Sequence, residues 1–559
     1  MLAGRRDALG LLAMAGVVAA TNPWAAFAGE MLPLAAGVSA AAGGVLLSVP
    51  WLKKKLNNIN SKARVGFVLR SDPTPEHARG KLGLHIGQTA DKNESVDITN
   101  GVLQRHLAII GQSGVGKTTL IESLLWQQTM RGGGWLFIDG KVDADTRNHV
   151  AYMAEAAGRQ DELYVLDISN PENSNTMNPL LEGDPDEVAS RLMNLIPSSE
   201  NNPGADFYRQ SANHALTVII GALQAANKLY HFGDLSILLQ SGAAMETLER
   251  MTPEGGAKRA LAIFLDQFRK RGKDGDTMID TDRLKTVLGG MSGRIALFAQ
   301  GKFGEVFNVY APEIVLKDIV VQGKMLYVSL PTMGKDTAAL NLGKMIISDL
   351  RSAVAVVQTL PSHERPKIPF VAVLDEMGSY VMKGVSTLFE QARSAGIAMV
   401  PAFQSFSQLN EVSEDFADIV IQNTWTKVCF KFGAVQSSEM ACELLGKSVK
   451  YIKSLSVSDS QGTGAATLRT TPDASNTRTG GYGESWRESE DYRVTPDQIR
   501  SLGMGETFVL TGSSFYHLMT PMLFFPDMED YTVMRYRTFL AKGKEPLRFE
   551  DNLDKFLTA

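Results

Sequence analysis

Disulfide frameworks and cysteine-based zinc sites are excluded at the outset, because only Cys429 and Cys442 occur in 559 residues. Both lie in apolar stretches, TKVCFKF and EMACELL, and read as buried packing residues. Charge of one sign is lacking too. Lys and Arg number 56 against 61 Asp and Glu, a formal net charge of −5. That total rules out a uniform basic coat but is compatible with a local basic groove. The eight histidines are scattered, with no paired metal-ligand spacing. An LSGGQ-like signature is absent, which removes transporter subunits of the ATP-binding-cassette kind.

Long hydrophobic runs are confined to the first 55 residues. One follows Arg5 and Arg6, from Ala8 to Ala28; a second, MLPLAAGVSAAAGGVLLSVPWL, stops at Lys53, Lys54 and Lys55. Each has about the 20 residues that a helix needs to cross a bilayer. Positive residues flank both outer ends while the connection from TNPW to Glu30 has none, which predicts a transmembrane hairpin over residues 1–56 with both termini cytoplasmic. Ala and Gly in the second run would let the two helices approach closely. Arg5-Arg6 with Ala26-Phe27-Ala28 also imitates a cleaved export signal. The second run, and a nucleotide motif downstream that needs cytoplasmic ATP, favour the anchor.

With 44% hydrophobic and 21% charged residues, the remainder can bury a large core and form more than one domain. Short apolar runs of strand length recur in LAII, WLFIDGK, ELYVLDIS, MLYVSLP, PFVAVLDE and IAMVPAF. Continuous apolar runs of this kind suit parallel strands covered on both faces, which predicts an α/β fold. Between Asp184 and Ile314 no such run appears, and DEVASRLMNLI, FYRQSANHALTVIIGALQAANKL and RALAIFLDQFRKRG carry helical spacing. The expected organisation is a nucleotide-binding domain in two parts, 57–183 and 315–559, interrupted by an all-α domain over 184–314. Residues 456–490, rich in Ser, Thr, Gly and charge, read as a mobile loop.

The stretch Gly111, Gln112, Ser113, Gly114, Val115, Gly116, Lys117, Thr118 fits G-x-x-x-x-G-K-[ST] between a strand and a helix, and Thr119 follows. In that setting backbone N–H groups cradle phosphates at a helix N-terminus. Lys117 would reach the β- and γ-phosphates of ATP and Thr118 would ligate Mg²⁺. A second element, FVAVLDE, ends an apolar strand on two acids. Asp375 is placed to join the Mg²⁺ shell and Glu376 to orient and polarise the attacking water. His106, beside Arg105 just before the strand, reads as structural. RKRGK at 269–273 is a candidate for phosphate contact but fits a solvated face better.

RHLAIIGQSGVGKTT, WLFIDGKVD, NPGADFYRQSANHALTVIIGAL, MLYVSLP with NLGKMIISDLRSA, FVAVLDEMGSY, ARSAGIAMVPAFQSFSQL and DIVIQNTWTKVCFKF, in that order, resemble the coupling proteins of type IV secretion systems. The resemblance runs over most of residues 80–540. It implies a RecA-like P-loop domain with parallel-core sheet, an inserted all-α domain and an N-terminal transmembrane hairpin. It also implies an inner-membrane ATPase that forms homo-hexamers and passes single-stranded DNA with its relaxase, or effector proteins, to the secretion channel. A receptor that docks protein effectors and handles no DNA is the alternative.

Residue by residue, Gln404 matches the strand-end glutamine of the family's third motif, whose strand lies between the P-loop and acidic-pair strands in RecA-like ATPases, so that Gln404 would face the γ-phosphate. Arg393 matches the arginine preceding that strand, a candidate finger for a neighbour's ATP. Two features depart from the family pattern. Gly140 replaces proline in Asp139-Gly140-Lys141, and the long acidic tail of some members has no counterpart after Pro526.

Overall fold

A computed structural model of the chain describes residues 83–195, 203–271, 277–331, 337–382, 384–413, 415–461, 478–526 and 528–557. Each of the six apolar runs becomes a strand of one eleven-stranded sheet. From edge to edge the order is Ser95–Thr99, Gly83–Thr89, Ser514–Met519, Glu506–Thr511, Thr426–Cys429, Leu107–Ile110, Ile397–Phe403, Phe370–Leu374, Trp135–Asp139, Met325–Ser329 and Leu163–Asp167. The last seven are mutually parallel. The first four join antiparallel at one side.

Alternation of side chains across the pleat explains why these strands are apolar throughout. Leu107, Ile109, Trp135 and Phe137 face one core, with Leu120, Leu124 and Val150 of the helices Lys117–Met130 and Ala144–Ala156. Ala108, Ile110, Leu136 and Ile138 face the other, with Ile346 and Leu350 of the helix Thr337–Thr359 and Leu388 of Val385–Ala392. Both faces are covered, as the composition of the strands requires. Cys429 and Cys442 are buried and unpaired, and burial raises their thiols to about 12 and about 11, so they pack as small apolar groups.

The helical stretch grows out of a single crossover. Strands Leu163–Asp167 and Met325–Ser329 are parallel neighbours, and the chain between them forms the helices Pro185–Met193, Pro203–Ala225, Phe232–Leu238, Gly242–Met251, Gly256–Asp266, Thr281–Ala299, Gly301–Phe307 and Leu316–Gln322. A parallel pair needs a crossover from the carboxyl end of one strand to the amino end of the next, so a long excursion within it leaves the sheet's pairing undisturbed. Arg191 ties this region to the helix Thr337–Thr359, which packs on the sheet: it lies 3.2 Å from Asp349 and donates to Ser352 Oγ at 3.0 Å.

Two expectations are corrected. Of the expected loop, residues 456–461 and 478–490 lie in an antiparallel ribbon, Lys447–Gln461 paired with Arg478–Tyr492, and the rest lies outside the described residues. Within 456–490 only Val457, Leu468, Tyr482 and Trp486 stand out from the Ser, Thr, Gly and charged residues as large apolar or aromatic residues, too few to show a strand period. The C-terminal stretch expected to belong to the nucleotide-binding domain runs instead onto the helical region. Glu545–Pro546 pairs with Lys228–Leu229, Ser241 Oγ donates to the Phe556 carbonyl at 2.9 Å, and the Phe549 and Glu550 N–H groups donate to Asp234 Oδ1. Among the described residues no helix is long and apolar enough to cross a membrane; the expected spans lie outside them.

His106 is a structural pin. It is 2% exposed, its Nε2–H donates to the Phe389 carbonyl at 2.7 Å, and its Nδ1 accepts the Met399 N–H at 3.0 Å. Those two bonds need a neutral ring, and burial lowers its pKa to about 4. The unfolded chain therefore binds a proton that the folded chain refuses, and stability present above pH 6.5 is lost as pH falls towards 4. Thermal unfolding should show a loss of up to about 3 kcal/mol from this residue over that range. In His106→Gln the fall should be visibly shallower; an unchanged profile would contradict the assignment.

Candidate active site

The carboxyl ends of the parallel strands bring the expected residues to one edge of the sheet. Phe403 pairs with Ile110, Leu374 with Pro401 and with Ile138, so Gly111, Gln404, Asp375 and Asp139 emerge side by side. Ligands of open α/β sheets bind at such an edge.

The P-loop is built on glycine conformations. Gly114 and Gly116 have φ of 76° and 106°, which a side chain disfavours, and Gly116 caps the helix Lys117–Met130. Around it, the Gly111 N–H donates to the Phe403 carbonyl, the Gln112 N–H to Lys431 and the Gly505 N–H to Val115, clamping the loop among three segments. Lys117 is 3% exposed, and its ammonium donates to the Gly111 and Gln112 carbonyls. Burial, then the charge of Lys141, lowers its pKa to about 8, with Glu376 and Asp375 opposing.

Asp375 is 1% exposed and neither of its carboxylate oxygens accepts a hydrogen bond. Burial raises its pKa, against the pull of the Lys141 charge. Glu376 takes φ of 52°, a left-handed conformation that costs a residue with a side chain of order 1–3 kcal/mol and clusters at functional sites. Gln404 Nε2 donates to Glu376 Oε1 at 2.7 Å, and Gln408 Oε1 accepts the Gln404 backbone N–H at 3.2 Å. Gln404 therefore touches the acid that would handle water, and Gln408 fixes the turn behind it.

Lys141 is the residue that motif reading did not place. Its Nζ lies 3.4 Å from Asp375 Oδ2, 3.6 Å from Glu376 Oε1 and 3.5 Å from Thr118 Oγ1. Burial opposes its charge, but the two acids prevail and its pKa is raised. Asp139 holds the turn that presents it, accepting the Lys141 N–H at 2.9 Å and the Tyr327 hydroxyl at 2.7 Å. A Cβ at Gly140 would stand 2.9 Å from Glu376 Cβ and 3.1 Å from the Asp375 carbonyl, which accounts for glycine at the position of the family's proline. Tetrad geometry of this kind has no sequence signal beyond a lysine two residues after a strand-end aspartate.

Arg393 is not brought to this edge. It caps the helix Val385–Ala392, is exposed, and precedes the strand Ile397–Phe403, whose other end carries Gln404. At about 3.3 Å per residue the strand separates them by roughly 20 Å. The basic run is also elsewhere: Arg269 pairs with Glu249 and Asp266, and Lys270 with Asp280.

Fold and site together define a RecA-like P-loop nucleotide-binding protein. Two family models match the chain, the "TraM recognition site of TraD and TraG" over residues 369–503 and the "Helicase HerA, central domain" over residues 84–284. A curated relative, the type 4 coupling protein DotL of Legionella pneumophila, is 25% identical over 403 residues, 64% of this chain and 51% of that protein. The chain thus matches about half the length of that relative. Among solved structures, the bacterial conjugative coupling protein TrwBdeltaN70 in unbound form superimposes with a TM-score of 0.53 at 15% identity, covering 79% of this chain and 89% of that one. TrwB in complex with the ATP analogue ADPNP gives 0.53 at 14% identity, covering 83% and 96%. TrwB has also been solved with ADP and Mg²⁺. The chain is thus similar in sequence to a type IV coupling protein and shares the fold of a conjugative one.

Gly140→Ala tests the packing of the site. It should fold but lose about 1–3 kcal/mol of stability, because a methyl group is forced against the Asp375-Glu376 backbone. Thermal unfolding at neutral pH measures this; a wild-type melting temperature would show that the turn is not in contact.

Proposed function

We propose that the chain is an inner-membrane ATPase that couples ATP hydrolysis to delivery of single-stranded DNA, with its relaxase, to a type IV secretion channel. The observation that carries the ATPase reading is the meeting of Lys117, Thr118, Asp375, Glu376 and Gln404 at one sheet edge. The coupling role is supported by the likeness to DotL and by the fold shared with TrwB. In this reading residues 1–56 anchor the chain as a two-helix hairpin, the helical region over 184–314 receives the substrate, and six copies form a ring. Heterologous contacts of that kind put each nucleotide at a subunit boundary.

The residues present fit Mg²⁺ and a triphosphate. A buried carboxylate with both oxygens unbonded beside a threonine hydroxyl is a donor set suited to a hard cation. Thr118 and Asp375 would hold the ion, which supplies neutralisation of phosphate charge when bound. Lys117 leaves its carbonyl partners to bind the β- and γ-phosphates, while residues Gly111 to Thr119 offer N–H groups to the phosphate oxygens. Glu376 orients the attacking water and takes its proton at a carboxylate oxygen. Gln404, which holds that carboxylate in place, can transfer one hydrogen bond to the γ-phosphate and so report its presence. Arg393, remote from its own site, acts on a neighbour's nucleotide.

A second reading, coupling of protein effectors without DNA, is favoured by the pairing of Arg269 and Lys270 with acids, which spends charge that a phosphate backbone would need.

ATP hydrolysis by the full-length chain, with and without single-stranded DNA, separates the two. Stimulation by DNA is expected, with salt sensitivity; an unchanged rate overturns the DNA reading in favour of protein effectors. Lys117→Ala should lose nucleotide binding. Gln404→Ala should retain it and lose about 100-fold in turnover, and normal turnover would remove Gln404 from the mechanism. Arg393→Ala should be inactive alone and regain activity when mixed with Lys117→Ala; no recovery on mixing argues against action across a boundary.

A further inference from the structure

The three groups around the Lys141 ammonium come from two separate segments: Thr118 from the helix after the P-loop, Asp375 and Glu376 from the end of the Phe370–Leu374 strand. Thr118 and Asp375 are the two residues that would hold Mg²⁺. A hydroxyl and a carboxylate offer the same lone pairs to an ammonium as to a metal ion. Asp139 accepts from the Tyr327 hydroxyl and the Lys141 N–H, so it fixes the turn that carries the lysine, and its charge adds to the attraction of the two acids. Gly140 lets the turn lie against Glu376, close enough for the side chain to reach across.

We propose that Lys141 is a built-in cation that occupies the metal position in the nucleotide-free protein and yields it when Mg²⁺ arrives with nucleotide. The inference rests on the reading of Thr118 and Asp375 as metal holders. A buried carboxylate left without a positive partner is strongly unfavourable, so a resident charge is needed whenever no metal is bound. A metal ion on Asp375 would be repelled by the ammonium at these distances, and phosphates arriving with it bring negative charge that offsets the repulsion. Free Mg²⁺ is thereby kept out, and metal enters only as the nucleotide complex.

The lysine side chain is 31% exposed, so it has a route by which to withdraw. While it remains, Glu376 Oε1 lies 3.6 Å from the Lys141 ammonium and 2.7 Å from Gln404 Nε2. Both contacts fall on the same carboxylate oxygen of the acid that would take a proton from water. The same lysine thus keeps the idle site both metal-free and unreactive.

Mn²⁺ binding to the nucleotide-free, full-length chain, read by electron paramagnetic resonance, tests this. Wild type should bind Mn²⁺ weakly. Lys141→Met should bind it at least about tenfold more tightly, and adding Asp375→Asn should abolish the gain. Mn²⁺ alone should raise the melting temperature of Lys141→Met and leave that of wild type unchanged; Lys141→Gln gives the same comparison should the Met variant not fold. Affinity for Mn²⁺ equal to wild type in both lysine variants, or a gain that survives Asp375→Asn, overturns the proposal. The Mg²⁺ dependence of ADP affinity in Asp375→Asn checks the underlying reading: if it is unchanged, Asp375 is not a metal holder. If it is lost while the lysine variants show no gain, the role of Lys141 alone fails.

Discussion

The carboxylate of Asp375 is the constraint around which the site is arranged. It sits at the end of a central strand, almost wholly buried, with neither oxygen hydrogen-bonded. A charge in that position survives only beside another of opposite sign, since desolvation otherwise outweighs everything else the residue contributes. The neighbouring strand supplies that charge through Lys141, and Lys141 in turn depends on the Asp139 turn and on the absence of a side chain at Gly140. Four residues on two strands are therefore one electrostatic unit, and the P-loop lysine, repelled by Lys141 and attracted by the acids, belongs to it.

Rigidity of the surrounding sheet makes such a unit possible. Seven parallel strands buried on both faces place their carboxyl ends in fixed register, so a strained φ at Glu376 and a clamped P-loop are held by packing rather than by local preference. The helical region leaves this frame through one crossover and is bound back by the Arg191–Asp349 pair and by the C-terminal stretch docked on Asp234. Chemistry at the sheet edge and the surface offered by the helices are thus connected through few, identifiable contacts.

Much of this could be read from the chain itself. The P-loop and the acid pair were legible because their chemistry demands particular residues at close spacing, and the strands because parallel strands buried on both faces must be apolar without interruption. The neighbour relation of the Gln404 strand to the P-loop and acid strands also appears as expected. The ribbon of Lys447–Gln461 with Arg478–Tyr492 was obscured because its Ser, Gly and charged composition leaves no clear strand period. The return of residues 545–557 to the helical region was invisible because its anchors, Asp234 and Ser241, lie some 300 residues earlier.

The sequence by itself determined the fold class and pointed to the P-loop and the acid pair, since glycines, a lysine and strand-end acids carry their own geometric and chemical requirements. Only the tertiary structure decided who touches whom. It joined Gln404 to Glu376, removed Arg393 to the opposite edge, and set Lys141 among Thr118, Asp375 and Glu376. The reason is physical: which charges compensate one another depends on distance through a low-dielectric interior, and that distance is set by strand order and register, not by separation along the chain.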